Sequence, residues 1–376
     1  MSFTRGDYLP LSCSKALCDE ESDLTRGEEL TVVSVDPRND PLWSKLVDRA
    51  PSSVFHSPRW IQVLTDTYGW EPGAYVVLDE RGEPRAGIPF CRIADVVGER
   101  ISSLPFSDYC DPLVNDARDW CLLIDRLLSE QRPITVRCLH NHVPLADDRF
   151  VFVKEAKWHG LDLRPALNSL WSGMHDSKRR AIKKSVREGL TVRIAQSEQE
   201  LRAFFEMHLK IRKYKLGLLA QPFRFFQNIW RHFVETQHGF LLLAVYQDKI
   251  VAGDFFLEWK DTLYYKFNAS APEDLCHRPN DMLIWEGIQY GKARGLTYLD
   301  FGLSDSDQEG LVRYKRMFGT EEKTISFLRY PPKGSANLFE KQIRDLLAQL
   351  TQRFTDQLVP DLVTERAGDD LYRLFT

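Results

Sequence analysis

The densest chemistry in this sequence lies in two cationic stretches and one acidic loop. Between His175 and Gly189, Lys178, Arg179, Arg180, Lys183, Lys184 and Arg187 load one helical face with positive charge. Such a run is either a solvated face or a site for phosphates. Its density stands out because the whole chain carries a net charge of -4. The second cationic stretch, Arg313, Lys315 and Arg316, follows the acidic turn Ser304–Asp307. Asp300, Asp305 and Asp307 could each take a proton, although turn capping alone explains them. His277 is a further candidate base in a loop. Cys13 and Cys18 form a close pair without a second Cys/His pair at metal-ligand spacing, so no metal site is expected.

The elements that position these residues can be read from spacing. Asn280 stands at an expected N-cap, and Met282, Leu283, Trp285 and Ile288 follow at helical spacing up to Gly295. Leu296 to Gly302 alternates as a strand. Ser304–Asp307 is expected to turn and cap a helix that carries Lys315 and ends at Gly319. A polar loop between a strand end and a cationic helix is a common place to build a site, because the strand fixes where the exposed loop points. On the amino-terminal side, Asp176 or Ser177 is expected to cap the first cationic helix.

The remaining chain reads as α/β (α+β). Leu30–Val35 is a strand, Pro41–Ala50 a helix, and Pro58 opens another. Ala74–Leu78 and Ala86–Ile93 form a hairpin around Asp79–Gly82. The same order recurs later: an aromatic helix at Phe225–Phe233, then the hairpin Phe240–Tyr246 and Ile250–Trp259. An Ala-Gly pair follows the turn in both hairpins, Ala86-Gly87 and Ala252-Gly253. The repetition points to two copies of one α/β unit. Asp261–Ser270 is a strand, and Leu338–Leu358 an amphipathic helix broken by Pro360. The expected division is a leader at 1–29, one lobe at 30–160, a second at 161–335, and a helical tail at 336–376. With 376 residues, 43% hydrophobic, the chain can bury a large core. No apolar run reaches the ~20 residues that span a bilayer. The amino terminus lacks the apolar core of a secretory signal. Seven scattered cysteines suit a reduced, cytoplasmic protein.

Taken together, five segments resemble the Fem-type N-acyltransferases, a branch of the GNAT superfamily. They are Val54–Trp60 (VFHSPRW), Ser103–Tyr109 (SLPFSDY), Ser177–Lys184 (SKRRAIKK), Ile284–Ile288 with Leu299–Gly302 (IWEGI, LDFG), and Tyr314–Gly319 (YKRMFG). The resemblance covers roughly residues 30 to 330. It implies two tandem GNAT-like domains, each a mixed, mostly antiparallel sheet flanked by helices, plus carboxy-terminal helices. It also implies amide formation between an activated acyl group and an amine.

Residue by residue, the resemblance makes Lys315, in an aromatic-Lys pair with Tyr314, the stabiliser of the tetrahedral oxyanion; otherwise it is a surface lysine. It gives Asp108 an acceptor-side role, orienting the amine; otherwise Asp108 is a loop residue. Tyr109, Arg212, Tyr214, Tyr265, Asn268 and Tyr314 are the implied substrate-binding residues. Ordinary GNAT enzymes hold the pyrophosphate of coenzyme A on a glycine-rich turn at a helix start. Here the corresponding His277–Leu283 keeps Arg278 but has no glycine, and adds Pro279 and Asp281. That favours aminoacyl-tRNA over acyl-CoA as donor, held by Lys178, Arg179, Lys183, Lys184 and Arg278. The donor is then a substrate, with no tightly bound cofactor. The implied acceptor is an amine on a cell-envelope or peptidoglycan precursor, which allows peripheral contact with a membrane-bound precursor. An acyl-CoA-dependent acyltransferase and a non-catalytic binding protein on a degenerate GNAT frame are the alternatives.

Overall fold

The structure is a computed structural model that describes residues 30–332 and 338–376. The Cys13–Cys18 pair and the leader lie outside the described residues. Among the described residues no cluster of His, Cys, Asp and Glu could hold a metal ion. Nor is any described helix long and apolar enough to cross a membrane.

The first half runs β1 (Thr31–Val35), α1 (Pro41–Arg49), α2 (Pro58–Tyr68), β2 (Glu71–Leu78), β3 (Pro84–Asp95), β4 (Gly98–Ser102), α3 (Ala117–Leu128), β5 (Ile134–Cys138) and β6 (Val151–Asp162). Local chemistry sets several of these boundaries. The Asp40 side chain accepts from the Leu42 N–H and Pro41 opens α1. Ser57 caps α2, and Gly69 ends it at φ 68°, where an L side chain would be strained.

The second half runs α4 (Leu167–Gly173), α5 (Asp176–Arg187), β7 (Thr191–Ile194), α6 (Glu198–Lys210), α7 (Phe223–Ile229), β8 (Gly239–Tyr246), β9 (Lys249–Trp259), β10 (Thr262–Ser270), α8 (Pro279–Ala293), β11 (Tyr298–Asp305), α9 (Glu309–Arg316) and β12 (Glu321–Tyr330). Helices α10 (Leu338–Phe354) and α11 (Asp361–Leu371) follow. Helices α6 and α7 each end in a π-helical turn, Ile211–Lys215 and Trp230–Val234.

Some expected boundaries move. His175, not Asp176 or Ser177, caps α5 through its side chain. Arg278, in the left-handed region at φ 61°, precedes α8, so Asn280 lies inside the first turn. The strand expected to stop at Gly302 continues to Asp305, because β6 goes on pairing with it past a bulge. The helix expected to reach Leu358 ends at Phe354, and Pro360 caps a second helix, α11, that follows the break.

All twelve strands form one sheet, in the order β1-β2-β3-β4-β5-β12-β6-β11-β10-β9-β8-β7. Read from either edge, the order is the same for each half. Strands β1 to β5 correspond to β7 to β11, and the last strand of each half is exchanged. Thus β6 pairs with β11, and β12 with β5. Each half contains one parallel contact, β4 with β5 and β10 with β11, each bridged by a helix. The other pairings are antiparallel.

The repeated Ala-Gly pairs have one physical role. A Cβ on Gly87 would strike the Leu46 and Trp43 side chains of α1. A Cβ on Gly253 would strike Phe204 of α6. In both halves the glycine lets a helix lie close on the hairpin. Two large cores cover the second half. One joins Phe204, Phe205, Phe225 and Phe226 to Phe255 beneath α6 and α7. The other joins Leu283, Ile284 and Ile288 of α8 to Phe256, Leu263 and Leu299.

Candidate active site

The two halves differ where their parallel strands part. In the first half, the segment after β4 folds back into the gap. Cys110 bridges Arg137, and the buried Asp111 carboxylate accepts from the N–H groups of Leu139, His140 and Asn141. In the second half the gap stays open. β10 and β11 pair only over Thr262–Tyr264 and Tyr298–Asp300 and then diverge. Between them lies a cleft of about 780 Å³. Its walls come from Tyr265, Lys266 and Asn268 on β10, Phe301 and Leu303 on β11, and Asp307 to Leu311, Tyr314 and Lys315 on α9 and the turn before it. Asn280, Ile211, Lys215, Leu216 and Asp108 complete the lining.

Divergence leaves strand carbonyls without ladder partners, and a buried carbonyl needs a donor. Lys315 supplies it: Nζ donates to the carbonyls of Gly302 at 3.0 Å and Leu303 at 2.9 Å. Helix α9 follows directly after β11, so its last turn drops this side chain back onto the strand. Lys315 is 3% exposed, and burial pushes its pKa down to about 8. Asp108 and Asp300 act in the opposite direction, and Lys266 adds to the fall. An ammonium with two of its three donors used retains one for a ligand.

Asp108 reaches this point from the first half. It pairs with Lys266 at 2.5 Å and accepts weakly from the Leu303 N–H at 3.4 Å. Gly302 is required twice over: its φ is +67°, and a Cβ there would collide with the Asp108 carboxylate. Behind it, buried Asp300 accepts from the Gly302 N–H at 2.6 Å and the Tyr109 hydroxyl at 2.8 Å. Burial raises the Asp300 pKa to about 6.

The expected site residues separate cleanly. Lys315, Asp108, Tyr265, Asn268 and Tyr314 all meet in the cleft. Tyr109 does not: it is buried, with its hydroxyl spent on Asp300 and its ring against Phe55. Arg212 and Tyr214 do not line it either. Arg212 Nε donates to the Leu219 carbonyl, and the Tyr214 hydroxyl donates to Asp361 of α11. The π turn rotates their neighbours Ile211, Lys215 and Leu216 into the cleft instead. His277 is also removed from the chemistry, bonded to Glu188 at 2.8 Å and stacked on Tyr246. Asp305 pairs with Lys154.

The expected donor face is also divided. Lys178 is buried, paired to Asp281 at 2.7 Å and seated 3.6 Å from the centre of the Tyr314 ring. It holds α5 to α8 and is not offered to a phosphate. Arg179 is engaged by Asp176 and the Ser172 carbonyl, and Lys184 by the Cys276 carbonyl and Glu188. Lys183 is exposed, 6.0 Å from the Trp171 ring, and Arg180, Arg187 and Arg278 are exposed as well.

Lys266 joins the site although sequence reasoning does not single it out, and Asp254 and Asp281 stand behind it as buried partners of Asn268 and Lys178. The available signal for Lys266 is a lone cation in an aromatic strand, Tyr264-Tyr265-Lys266-Phe267. A bulge between Tyr265 and Phe267 is what turns it towards Asp108.

A parallel pair bridged by a crossover helix thus stands once in each half. Residues 174–316 match the family described as acetyltransferase (GNAT) domain. The doubled arrangement is similar in fold to solved structures. The structure of FemX superposes with a TM-score of 0.62 at 13% identity, covering 84% of this chain and 100% of that one. L-PGS from Bacillus licheniformis gives 0.51 at 14% identity, over 82% and 96%. A tandem GNAT protein from the clavulanic acid biosynthesis pathway gives 0.50 at 12%, over 80% and 98%. No curated protein shows significant similarity to the sequence.

Proposed function

We propose that this chain is an N-acyltransferase that moves an aminoacyl group from tRNA to a primary amine of a cell-envelope precursor. The observation that carries this reading is the Lys315 ammonium, fixed by two strand carbonyls on the wall of the open cleft. In this reading its remaining donor meets the carbonyl as it turns tetrahedral, and a preorganised donor of this kind favours the oxyanion over the ground state. The amine attacks the ester carbon; Asp108 accepts its N–H and relays the proton to the departing ribose hydroxyl. The C–O bond then breaks and the amide remains.

The start of α8 favours an aminoacyl donor over acyl-CoA. The Asp281 side chain already occupies the first turn there, paired with Lys178, and Pro279 withholds an N–H. A pyrophosphate would meet a carboxylate where other GNAT proteins offer bare backbone. The exposed Arg180, Lys183, Arg187 and Arg278 lie on and beside α5 and can meet an RNA backbone instead. The match of residues 174–316 to an acetyltransferase domain is the observation behind the second reading, transfer from acyl-CoA.

The deciding experiment incubates the full chain with a mixed pool of charged tRNAs, and separately with acetyl-CoA, each with peptidoglycan precursors and simple primary amines. Amide formed from charged tRNA alone is the expected result. Turnover of acetyl-CoA alone would replace the proposal with the second reading. Tight precursor binding without transfer from either donor would make the chain a binding protein.

A further inference from the structure

At the end of the cleft nearest α8, two adjacent strands carry a buried polar arrangement that the transfer chemistry above leaves unused. Asp254 on β9 is fully buried and stands in register with Asn268 on β10. Its Oδ1 accepts from Asn268 Nδ2 at 2.5 Å, while Oδ2 closes no hydrogen bond. Asn268 Nδ2 also donates to Asn280 Oδ1 at 3.3 Å. A buried carboxyl with one partner is unfavourable, since each unmet polar atom loses its hydration. The sheet gains nothing from it that an apolar residue would not supply.

What the arrangement does achieve is to fix an amide. Both hydrogens of the Asn268 amide are directed at oxygens, one on each side. Its Oδ1 is therefore turned away from them, as an acceptor on the wall of the cleft. Tyr314 lines the same cleft, and its shielded hydroxyl lies on the Asp281 side without closing a hydrogen bond of good geometry. The Asp281–Lys178 pair beside this wall is charge-balanced, so the amide oxygen, which can only accept, sets what binds here. The group this corner accepts is thus a hydrogen-bond donor, neutral or positive.

We propose that Asn268, turned by Asp254 and Asn280, holds the amino group of the donated aminoacyl residue, with the Tyr314 hydroxyl as the second contact. The inference rests on the aminoacyl reading of the cleft. It deepens that reading by making the amino group the feature by which aminoacyl donors are preferred to plain acyl donors. Asn268 and Tyr314 bind the donor; Asp254 is a positioning residue that acts through Asn268.

The test is a binding titration on the full chain, which needs no turnover. The probes are amide-linked aminoacyl-adenosines covering the standard amino acids. The tightest binder is then compared with its counterparts in which hydrogen or hydroxyl replaces the amino group. The wild type should bind the hydrogen replacement roughly tenfold to a hundredfold more weakly, and the hydroxyl replacement, which keeps one donor, less weakly than that. Asn268→Leu should bind all three about equally. Tyr314→Phe should lose part of the discrimination, and Asp254→Leu should lose it without touching the probe. Should Asp254→Leu fail to fold, the two cleft-wall variants still decide the matter. Equal binding of the three probes by the wild type, no binding of any probe, or full discrimination in Asn268→Leu would overturn the proposal. A protein that transfers aminoacyl groups but binds the three equally loses the subsite and keeps the function. One that discriminates in titration yet transfers nothing keeps the subsite and loses the function.

Discussion

Replacing Lys315 by methionine separates the catalytic role of this residue from its structural one. The side chain keeps its length and loses only its charge and donors. In the folded protein burial lowers the Lys315 pKa from 10.5 to about 8, which disfavours the ammonium by about 3 kcal/mol. Methionine removes that penalty. It also leaves the carbonyls of Gly302 and Leu303 without their donor, at about 1–3 kcal/mol each. The two effects offset, so Lys315→Met should change unfolding free energy by no more than about 3 kcal/mol in either direction. Transfer should fall far more, by the roughly hundredfold to thousandfold that follows loss of one oxyanion donor. Single-turnover amide formation, measured beside urea unfolding, gives both numbers. The pH profile supplies a further check. Lys315 donates as the ammonium below about 8 and loses that form above it, so wild-type transfer should decline as pH rises through about 8. Transfer by Lys315→Met within about twofold of wild type, with the fold intact, would remove Lys315 from the reaction.

Three other outcomes follow from the same geometry. Reversing the exposed charges Arg180, Lys183 and Arg187 to glutamate should weaken binding of charged tRNA. It should also flatten the dependence of log K on log salt by about one for each phosphate no longer neutralised; an unchanged slope in filter binding would return α5 to a solvated face. Lys178→Met should destabilise the protein by about 3–5 kcal/mol in urea unfolding, because Asp281 is left buried without its partner; a smaller effect than that of Arg180→Met would mean the pair is not structural. Asp254 is the pH-sensitive case: burial raises its pKa from 3.8 to about 8. Between those values the unfolded chain ionises this group while the folded one keeps the proton, so its contribution is greatest below about 4 and is lost as pH rises through about 8. Asp254→Asn should therefore gain stability relative to wild type between about pH 5 and pH 8, and a pH-independent difference in unfolding free energy would contradict the assignment.

Much of the frame was legible because it follows from local rules. Period-2 and period-3.6 patterns located both hairpins and the helices beside them. The matching Ala-Gly pairs marked the duplication, and the glycines at 189, 295 and 319 mark helix ends that adopt positive φ. Tyr314 and Lys315 could be placed at the end of a helix following a strand, which is where they stand.

The sequence alone thus determined the doubled α/β frame, the helix that presents Lys315, and the absence of a glycine cradle at Arg278–Asp281. Periodicity, capping and turn chemistry act over a few residues and are written in order along the chain. The tertiary structure decided the rest. It exchanged β6 and β12 between the halves, filled the first gap with Asp111 and left the second open. It brought Asp108 to Lys266, 158 positions further along the chain, and to the Leu303 N–H beside Gly302. It also turned Arg212 and Tyr214 out of the cleft through a single π turn, and buried Lys178 against Asp281. Each of these depends on which groups lie close once the sheet has formed. Contact across strands sets the strength of a charge or a hydrogen bond, and separation along the chain does not record it.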